Sequence, residues 1–291
     1  MTSDIIEQVA IRAARAAGRI HLRRLSRIHI SRKSSDIDLV TEADREAEAA
    51  VIRIIRRAFP DHAVLAEESG LSAHKSAAHR WIIDPLDGTT NYAHAFPSFC
   101  VSIAYERNGR VEFGVVLDAM HKECFTARRG KGAFLNGKRI KTSTTPTLGA
   151  ALVGTGFPYD RRQRRRFYLC FWEYFMMRAQ GVRRTGAAAL DLGNLACGRL
   201  DGFWEFGLKP WDVAAGSLIV REAGGRVTNM DATPLDLAAG QILVSNGRIH
   251  DEMLEVIRLA RPEAERRHAE MLREEAREGR LATRAKHAKQ A

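Results

Sequence analysis

The sequence predicts a layered α/β sandwich, and three observations lead to this prediction. Two helical patterns open the chain, short β-rich segments follow, and a region of mixed helices and strands comes last. This order fits stacked layers of helices and sheets better than a simple βαβ alternation. With 291 residues and 45% hydrophobic content, the chain can bury a large core, so we expect a globular, water-soluble protein.

The first two elements are predicted to be helices. Apolar residues recur at helical spacing over about 3–30, and Ser3 is the predicted N-cap. A second helix follows Thr41 and ends before Pro60. Acidic residues stand near its start, where carboxylates suit the helix dipole.

Short β-rich segments are predicted next, over about 62–140. Asn108-Gly109 lies between two alternating segments, which is typical of a β-hairpin. A strand near Ala150 then opens a mixed region, with short strands between helices over about 161–180, 187–199 and 211–223.

The end of the chain is predicted to lose its order. A last helix starts near Ile249, and Pro262 is expected to break it. The segment beyond Pro262 has almost no large apolar residues, so we expect a frayed helix there and a basic, disordered end from about Arg280.

Charge and cysteine content narrow the function classes. The net charge of +11 is concentrated in a stretch without acidic residues between Gln8 and Ser35 and in "RRQRRR" at 161–166. Such clusters attract nucleic acid, anionic lipid or phosphorylated ligands, or they form a solvated helix face; the arginine spacing of three or four in the first cluster favours a helix face. The four scattered cysteines predict neither a zinc site nor a disulfide framework. With no long apolar segment and no leader pattern, we expect a cytoplasmic protein that does not insert into membranes.

A group of carboxylates is the most informative feature. In "DPLD", Asp84 and Asp87 follow a predicted buried strand, and the proline between them fixes the backbone so that both carboxylates and the Leu86 carbonyl can converge. Either a proton-sharing pair or a divalent ion explains this. "AEES" carries Glu67 after a second strand, and "PWDVAAG" begins a helix with Asp212. Three acidic sites without histidine or cysteine form an all-oxygen ligand set, which suits Mg²⁺ or Mn²⁺ rather than zinc.

The neighbouring residues indicate a phosphate ligand. In "DGTTN", Gly88 allows close approach of the backbone to an anion, and two hydroxyls and successive N–H groups follow. Metal ions beside a phosphate site predict phosphoryl transfer to water. Each motif alone is explained as well by a turn or a capped helix, so the prediction depends on their joint occurrence.

These motifs, taken together, resemble one known family. "EES", "WIIDPLDGTTNYAHAFP" and "LKPWDVAAGSLIVREAGG" are similar to the inositol monophosphatase family, within the lithium-sensitive, Mg²⁺-dependent phosphatase superfamily, over about residues 4–260. "RRTGAAALDL" and "GLKPWD" resemble its bacterial inositol-1-monophosphatase branch. The resemblance implies a five-layered αβαβα sandwich of the inositol monophosphatase and fructose-1,6-bisphosphatase type, homodimeric, inhibited by lithium and using two or three Mg²⁺ ions, with Mn²⁺ as an alternative.

The resemblance also implies catalytic and metal-binding roles. Glu67, Asp84 and the Leu86 carbonyl would bind the activating metal, and Glu67 would also contact a third, weaker ion. Asp84, Asp87 and Asp212 would hold the second metal. Thr89, paired with Asp44, would orient and deprotonate the attacking water, so the implied catalytic residues are Thr89, Asp44 and Glu67.

The implied substrate contacts surround these ligands. The backbone of Gly88 and Thr89 would hold the phosphate, and Lys33 would lie on a mobile loop that closes over the site. Arg183 and Arg184 match a position that faces either the substrate or a subunit interface. The remaining residues implied to face the substrate are Leu86, Asp87, Gly186, Ala187, Ala188, Glu205 and Asp212. Ala187 replaces a threonine of some relatives, which puts the contacts to the polyol ring in doubt.

The division of the chain and its function follow from these assignments. We expect an N-terminal α+β half over 1–145 with most metal ligands, a C-terminal α/β half over 146–262 that completes the site, and a basic tail over 263–291. The expected activity is hydrolysis of myo-inositol 1-phosphate or a related polyol or sugar phosphate. Alternatives are fructose 1,6-bisphosphate, histidinol phosphate or a nucleotide 2′- or 3′-phosphate as substrate, or an RNA-associated role in ribosomal RNA transcription through the basic clusters.

Overall fold

The computed structural model describes residues 3–26, 30–32, 39–71 and 76–288. Within them the α-helices are α1 (Ser3–Arg24), α2 (Glu42–Ala58), α3 (Thr89–Ala93), α4 (Arg165–Met176), α5 (Ala188–Ala196), α6 (Pro210–Glu222) and α7 (His250–Ala288). None of the helices in these ranges is both long and apolar enough to cross a bilayer.

The strands form three sheets. A two-stranded sheet pairs β1 (Ile30–Arg32) with β2 (Leu39–Thr41). An eight-stranded sheet has the order β10-β9-β8-β7-β6-β5-β3-β4, built from β3 (His62–Ala66), β4 (Gly70–Leu71), β5 (Ser76–Asp87), β6 (Cys100–Arg107), β7 (Arg110–Asp118), β8 (Glu123–Arg128), β9 (Gly132–Leu135) and β10 (Lys138–Ile140). A five-stranded sheet has the order β12-β11-β13-β15-β14, built from β11 (Leu152–Thr155), β12 (Gly181–Arg183), β13 (Gly202–Phe206), β14 (Arg226–Thr228) and β15 (Gln241–Ser245).

Helices and sheets stack in five layers. Helices α1 and α2 pack on one face of the eight-stranded sheet, through Trp81 and Ile83 among others. Helices α5 and α6 fill the space between the two sheets, where Ile82 of β5 and Phe203 of β13 belong to the same core. Helices α4 and α7 cover the outer face of the five-stranded sheet, against Trp204. The predicted αβαβα sandwich is confirmed, and the division at residues 145 and 146 stays a prediction.

Two local predictions are confirmed. Helix α2 follows Thr41 as predicted, and the Thr41 side chain caps it by accepting a hydrogen bond from the Ala43 N–H. The predicted hairpin joins β6 to β7, and both turn residues have the positive φ of a type I′ turn, 51° at Asn108 and 75° at Gly109.

The first helix is shorter than predicted. It ends at Arg24 instead of extending to about residue 30, and Ile30–Arg32 forms β1, which pairs antiparallel with β2. Pairing with a strand further along the chain decides this segment, and helical periodicity contains no information about such a partner. Ser3, the predicted N-cap, is already the first helical residue, and its side chain lies outside the described part of the chain.

The last helix is longer than predicted. Pro262 lies inside α7, which continues to Ala288, so the predicted break at the proline and the disordered end from Arg280 are wrong. Proline removes one helical hydrogen bond and crowds the preceding turn. Tertiary packing outweighs this cost, since Ala260, Ala264 and Met271 are fully buried on both sides of the proline.

Candidate active site

An irregularity in β5 brings Asp84 and Asp87 to the same side of the sheet. Residues three apart on a regular strand point to opposite faces. Here Asp84 pairs with Ser102 of β6 and Asp87 with Cys100, so β5 uses three residues where β6 uses two. Because Ser102 and Cys100 share a face, their cross-strand partners share it too. This is a β-bulge at Pro85 and Leu86, and it turns both carboxylates toward α5 and α6.

The bulge is supported from the opposite side of the sheet. His21 of α1 is fully buried, and its Nε2 donates a hydrogen bond to the Pro85 carbonyl at 2.8 Å. Burial lowers the pKa of His21 to about 4, so the ring stays neutral at physiological pH. The Leu86 N–H donates to Asp84 Oδ1 at 2.9 Å and closes the bulge from within.

Further carboxylates converge on the same cavity from other elements. Glu67 follows β3, Glu205 lies on β13, and Asp212 is the third residue of α6, where its Oδ2 accepts the Lys209 N–H at 2.6 Å. Together with Asp84 and Asp87 they line a cavity of about 440 Å³. The site therefore joins elements of both sheets and the helical layer between them.

The electrostatics of this wall favour a bound cation. Burial raises the pKa of Asp84 and Asp212 well above the usual range, and the negative charges of Glu67 and Asp87 raise both values further. The pKa of Asp87 rises to about 7, first through burial, although the Ala189 N–H of α5 donates to it at 2.7 Å. Within the described ranges, neither Lys nor Arg pairs with Asp84, Asp87 or Asp212.

The donor set fits a hard cation held by few protein ligands. Among the described residues, no three carboxylate, imidazole or thiolate groups already stand around one point. Asp84 and Asp212 each accept a backbone N–H through one oxygen, and Asp87 accepts the Ala189 N–H and the Cys100 thiol through Oδ2. Mg²⁺ binds through one or two carboxylates and retains several waters, so this arrangement suits Mg²⁺ better than an all-protein cage would.

Thr89 and Asp44 form a buried pair beside the carboxylates. The Thr89 hydroxyl lies 3.0 Å from Asp44 Oδ1 and 3.1 Å from the Leu86 carbonyl. Burial raises the pKa of Asp44 to about 6, opposed by hydrogen bonds from Thr41 and assisted by the charges of Glu67 and Glu68. A hydroxyl that donates to Asp44 still has lone pairs for a water molecule. The pair can therefore accept a proton near neutral pH.

Gly88 shapes the corner next to this pair. It caps α3 with a φ of 92°, and a Cβ there would lie 2.8 Å from the Ser98 carbonyl oxygen. Both the backbone angle and the close contact require glycine. Gly88, Thr89 and Thr90 consequently place the backbone at the start of α3 in the cavity wall.

A hydrogen-bond network fixes the opposite wall. Asn91 of α3 donates to the Ser98 and Thr185 carbonyls, and the Thr185 hydroxyl contacts both carboxylate oxygens of Asp191 at 2.6 Å. Burial raises the pKa of Asp191 to about 7. These bonds hold the loop before α5, including Gly186, against α3.

The family model described as "Inositol monophosphatase family" matches residues 3–262 of this sequence. The chain belongs to the inositol monophosphatase family. It is 50% identical over 228 residues to an inositol-1-monophosphatase of Synechocystis sp., which covers 78% of this chain and 79% of the relative. It is 45% identical over 255 residues to the Nus factor SuhB of Pseudomonas aeruginosa, covering 86% and 94% of the two chains.

Solved structures agree with this inositol monophosphatase fold. The inositol monophosphatase from Anabaena (Nostoc) sp. superposes with a TM-score of 0.80 at 46% identity, covering 88% of this chain and 96% of that one. A more distant IMPase/NADP phosphatase, 25% identical with a TM-score of 0.78 and coverage of 88% and 96%, was solved with NADP and Ca²⁺. The predicted family and fold are thereby confirmed, and divalent metal binding is a property of this relative.

Most residues predicted for the inositol monophosphatase site meet in one cavity. Its lining includes Glu67, Asp84, Leu86, Asp87, Gly88, Thr89, Gly186, Ala188, Glu205 and Asp212. Asp44 lies behind Thr89. Ala187 is buried at the start of α5, and Arg183 on β12 donates to the Val182 carbonyl; neither lines the cavity, whereas Arg184 does. Lys33 lies outside the described residues.

The sequence reasoning missed one wall of the cavity. Phe157, Pro158, Tyr159 and Arg161 follow β11, and Lys209 and Trp211 flank the start of α6. The segment "GFPYDRR" directly after a predicted strand was the available signal, because loops at strand ends often carry binding residues.

Proposed function

We propose that this protein is a Mg²⁺-dependent phosphatase that hydrolyses myo-inositol 1-phosphate or a closely related polyol phosphate. The observation that carries the proposal is the convergence of carboxylates from β5, β13, α6 and the end of β3 on one cavity, beside the Thr89–Asp44 pair. Family membership over residues 3–262 and the 50% identical inositol-1-monophosphatase support it.

The proposed ligand set consists of oxygens in this wall of the cavity. Glu67, Asp84 and the Leu86 carbonyl would hold one ion, and Asp84, Asp87 and Asp212 a second, with Glu67 also facing a third. When bound, such ions polarise the phosphate and neutralise the charge that develops on it. The number of ions and the choice between Mg²⁺ and Mn²⁺ belong to the proposal.

The proposed chemistry depends on the chain's own residues for proton transfer. Water attacks phosphorus and gives up a proton, the ester P–O bond breaks, and the leaving alkoxide takes up a proton from solvent water. Thr89 accepts a hydrogen bond from the attacking water while donating to Asp44, and Asp44 takes up the proton. Gly88 and Thr89 hold the phosphate, while Gly186, Ala188 and Glu205 face the polyol.

The decisive experiment measures phosphate release by the purified protein from inositol, sugar, histidinol and nucleotide phosphates, with Mg²⁺ or with EDTA. We expect Mg²⁺-dependent turnover that is highest on inositol 1-phosphate. Absence of turnover on every ester in the presence of Mg²⁺ would refute the proposal. Lithium inhibition, a homodimer and a cytoplasmic location stay predictions that the same preparation allows to be tested.

A second candidate function is binding of RNA in a transcription complex. Arg12, Arg15 and Arg19 are exposed along one side of α1 and form no ion pair within the described residues, and one relative is a Nus factor. Other basic residues are neutralised: Arg24 pairs with Glu42 and Glu46, and Arg166 pairs with Glu274.

RNA binding is tested by fluorescence anisotropy with a single-stranded RNA over a range of salt concentrations. Contacts to phosphates predict an affinity that falls steeply with salt and is lost in the triple variant Arg12→Glu, Arg15→Glu, Arg19→Glu. Equal affinity of the variant and the wild type would exclude this surface as the RNA site.

A further inference from the structure

The cavity has a cationic side that the metal-binding residues do not explain. Arg161 lies in the loop between β11 and α4, and Arg184 follows β12; both line the cavity. Among the described residues, neither guanidinium pairs with a carboxylate. Two arginines thus face one cavity without a carboxylate partner among the residues that the structure describes.

Two like charges on one side of the cavity carry an electrostatic cost. Burial lowers the pKa of Arg161, and the charge of Arg184 lowers it further, which shows that the two groups repel each other. Arginine stays protonated in proteins, so the repulsion is not relieved by loss of a proton. An anion between the two groups would relieve it.

The backbone around Arg184 is fixed by its surroundings. A Cβ at Gly186 would lie 2.6 Å from an Arg184 guanidinium nitrogen, so the glycine leaves the space that this side chain occupies. The loop that carries both residues is held by Asn91 and Asp191. The side chain of Arg184 is exposed to solvent at the cavity, but it extends from a backbone that is held in place.

The two arginines lie on the polyol side of the cavity. The Arg184 guanidinium lies beside Gly186, which lines the cavity together with Ala188 and Glu205, the residues that face the polyol in the proposed function. The reacting phosphate belongs beside Asp84 and Thr89 in the proposed function. The arginines consequently face the leaving group.

We propose that Arg161 and Arg184 form a second anion subsite, which binds a phosphate or carboxylate carried by the leaving group of the substrate. The planar guanidinium binds both groups through paired hydrogen bonds. This inference rests on the proposed phosphatase function and narrows it: the preferred substrate is a polyol phosphate with a second anionic group.

The test compares matched substrates with the full chain in Mg²⁺. One pair is myo-inositol 1-phosphate and myo-inositol 1,4-bisphosphate; a second is glucitol 6-phosphate and 6-phosphogluconate, which differ in a carboxylate. For the wild type we expect kcat/KM to be about tenfold higher, in at least one pair, on the substrate that carries the additional anionic group. Which pair shows the preference identifies the anion as phosphate or carboxylate.

Variants assign that preference to the arginines. In Arg161→Ala the ratio of the two kcat/KM values should fall about tenfold, mainly through KM, and Arg161→Lys should retain part of it. Arg162→Ala removes the same charge from the exposed next residue and should keep the wild-type ratio. An unchanged ratio in Arg161→Ala, or an equal fall in Arg162→Ala, overturns the subsite.

A binding measurement separates this inference from the proposed activity. In an Asp44→Asn background, which slows turnover, calorimetry gives the dissociation constant of the bisphosphate directly, and Arg161→Ala should weaken it about tenfold. Turnover of inositol 1-phosphate without any effect of Arg161 would leave the phosphatase standing and remove the subsite. Absence of turnover on all four esters would remove the phosphatase, and with it this inference.

Discussion

Charged residues play opposite roles in the cavity and in the outer layer formed by α4 and α7. In the cavity, Asp84, Asp87 and Asp212 are desolvated, repel one another and have no cationic partner within the described ranges. In the outer layer, Arg165, Arg166 and Arg267 each pair with a glutamate across the two helices, in contact with solvent. Repulsion among the buried carboxylates lowers the stability of the fold, and a bound cation restores it. Each exposed ion pair contributes about 1 kcal/mol or less. Buried charges without an ion-pair partner among the described residues thus lie at the candidate active site, and paired exposed charges lie on the outer surface of α4 and α7.

The largest effect is expected from substitution of the buried carboxylates that have no cationic partner within the described ranges. Asp87→Asn removes a negative charge but keeps an oxygen that can accept the Ala189 N–H. Asp212→Asn likewise removes a negative charge and keeps an oxygen for the Lys209 N–H. We expect kcat to fall roughly a thousandfold in either variant, because stabilisation of transition-state charge is lost. The far-UV circular dichroism should be unchanged. Asp61→Asn, on the exposed turn before β3, is the control, and wild-type turnover in Asp87→Asn at equal Mg²⁺ would refute the metal assignment.

Removal of the tail tests the outer layer. Deletion of residues 266–291 exposes the surface covered by Met271 and removes the partners of Arg165 and Arg166. We expect a loss of about 2–5 kcal/mol in the free energy of unfolding, as for a buried methionine cut to alanine. Because no residue of the described part of the tail, 266–288, lines the cavity, kcat should stay near the wild-type value.

Denaturant melts of this truncation and of Met271→Ala measure the loss, and deletion of 281–291 is the control with little expected change. A collapse of kcat in the 266–291 deletion would show that the tail supports the active site through α4.

Metal-free protein should lose stability relative to the Mg²⁺-bound protein as the pH rises from 6.5 to 8. Folding raises the pKa of Asp87 and Asp191 from the ordinary value near 4 to about 7, so the folded state binds more protons than the unfolded state in this window. Stability is then lost as these carboxylates ionise, by about 1 kcal/mol or a few degrees in Tm.

The buried histidines act in the opposite direction. The pKa values of His21, His62 and His250 fall to about 4 in the folded state, whereas the unfolded imidazoles titrate near 6.5, so this contribution to stability rises between pH 6.5 and 8. Because it is the same with and without Mg²⁺, thermal melts in EDTA and in Mg²⁺ are compared at each pH. The Tm in EDTA should fall further below the Tm in Mg²⁺ as the pH rises, and a difference that shrinks with pH would contradict the assignment of raised pKa values.

The smallest effect is expected for one exposed pair. A double-mutant cycle with Arg166→Ala and Glu274→Ala should give a coupling energy below about 1 kcal/mol, and high salt should reduce it further. Urea melts give the free energy of unfolding of the wild type, the two single variants and the double variant. A coupling of several kcal/mol would mean that the outer layer is held by its ion pairs and not by the buried residues beneath them.

Much of this molecule was predictable from local patterns. The Thr41 cap, the Asn108-Gly109 hairpin and the order of layers depend on turn chemistry and periodicity, which a single sequence displays. The acidic motifs predicted a shared site because their spacing and neighbours had no simpler explanation.

Other features depend on contacts that no local pattern contains. Strand β1 exists because Ile30–Arg32 finds β2, and α7 passes through Pro262 because alanines on both sides are buried against neighbouring elements. The common direction of Asp84 and Asp87 required the register of β6. Arg161 lines the cavity because its loop follows a course that is set by the packing of α4 on the five-stranded sheet.

Helix α1 contributes no side chain to the cavity, yet His21 holds the carbonyl on which the bulge of β5 rests, and the Tyr92 hydroxyl of α3 donates to the backbone of the same histidine. The N-terminal helix therefore influences the geometry of the candidate active site from outside it. A purification tag or fusion partner that distorts α1 should lower activity without changing any active-site residue. For preparations of this protein, leaving the N-terminus free and placing additions after α7 is the safer choice.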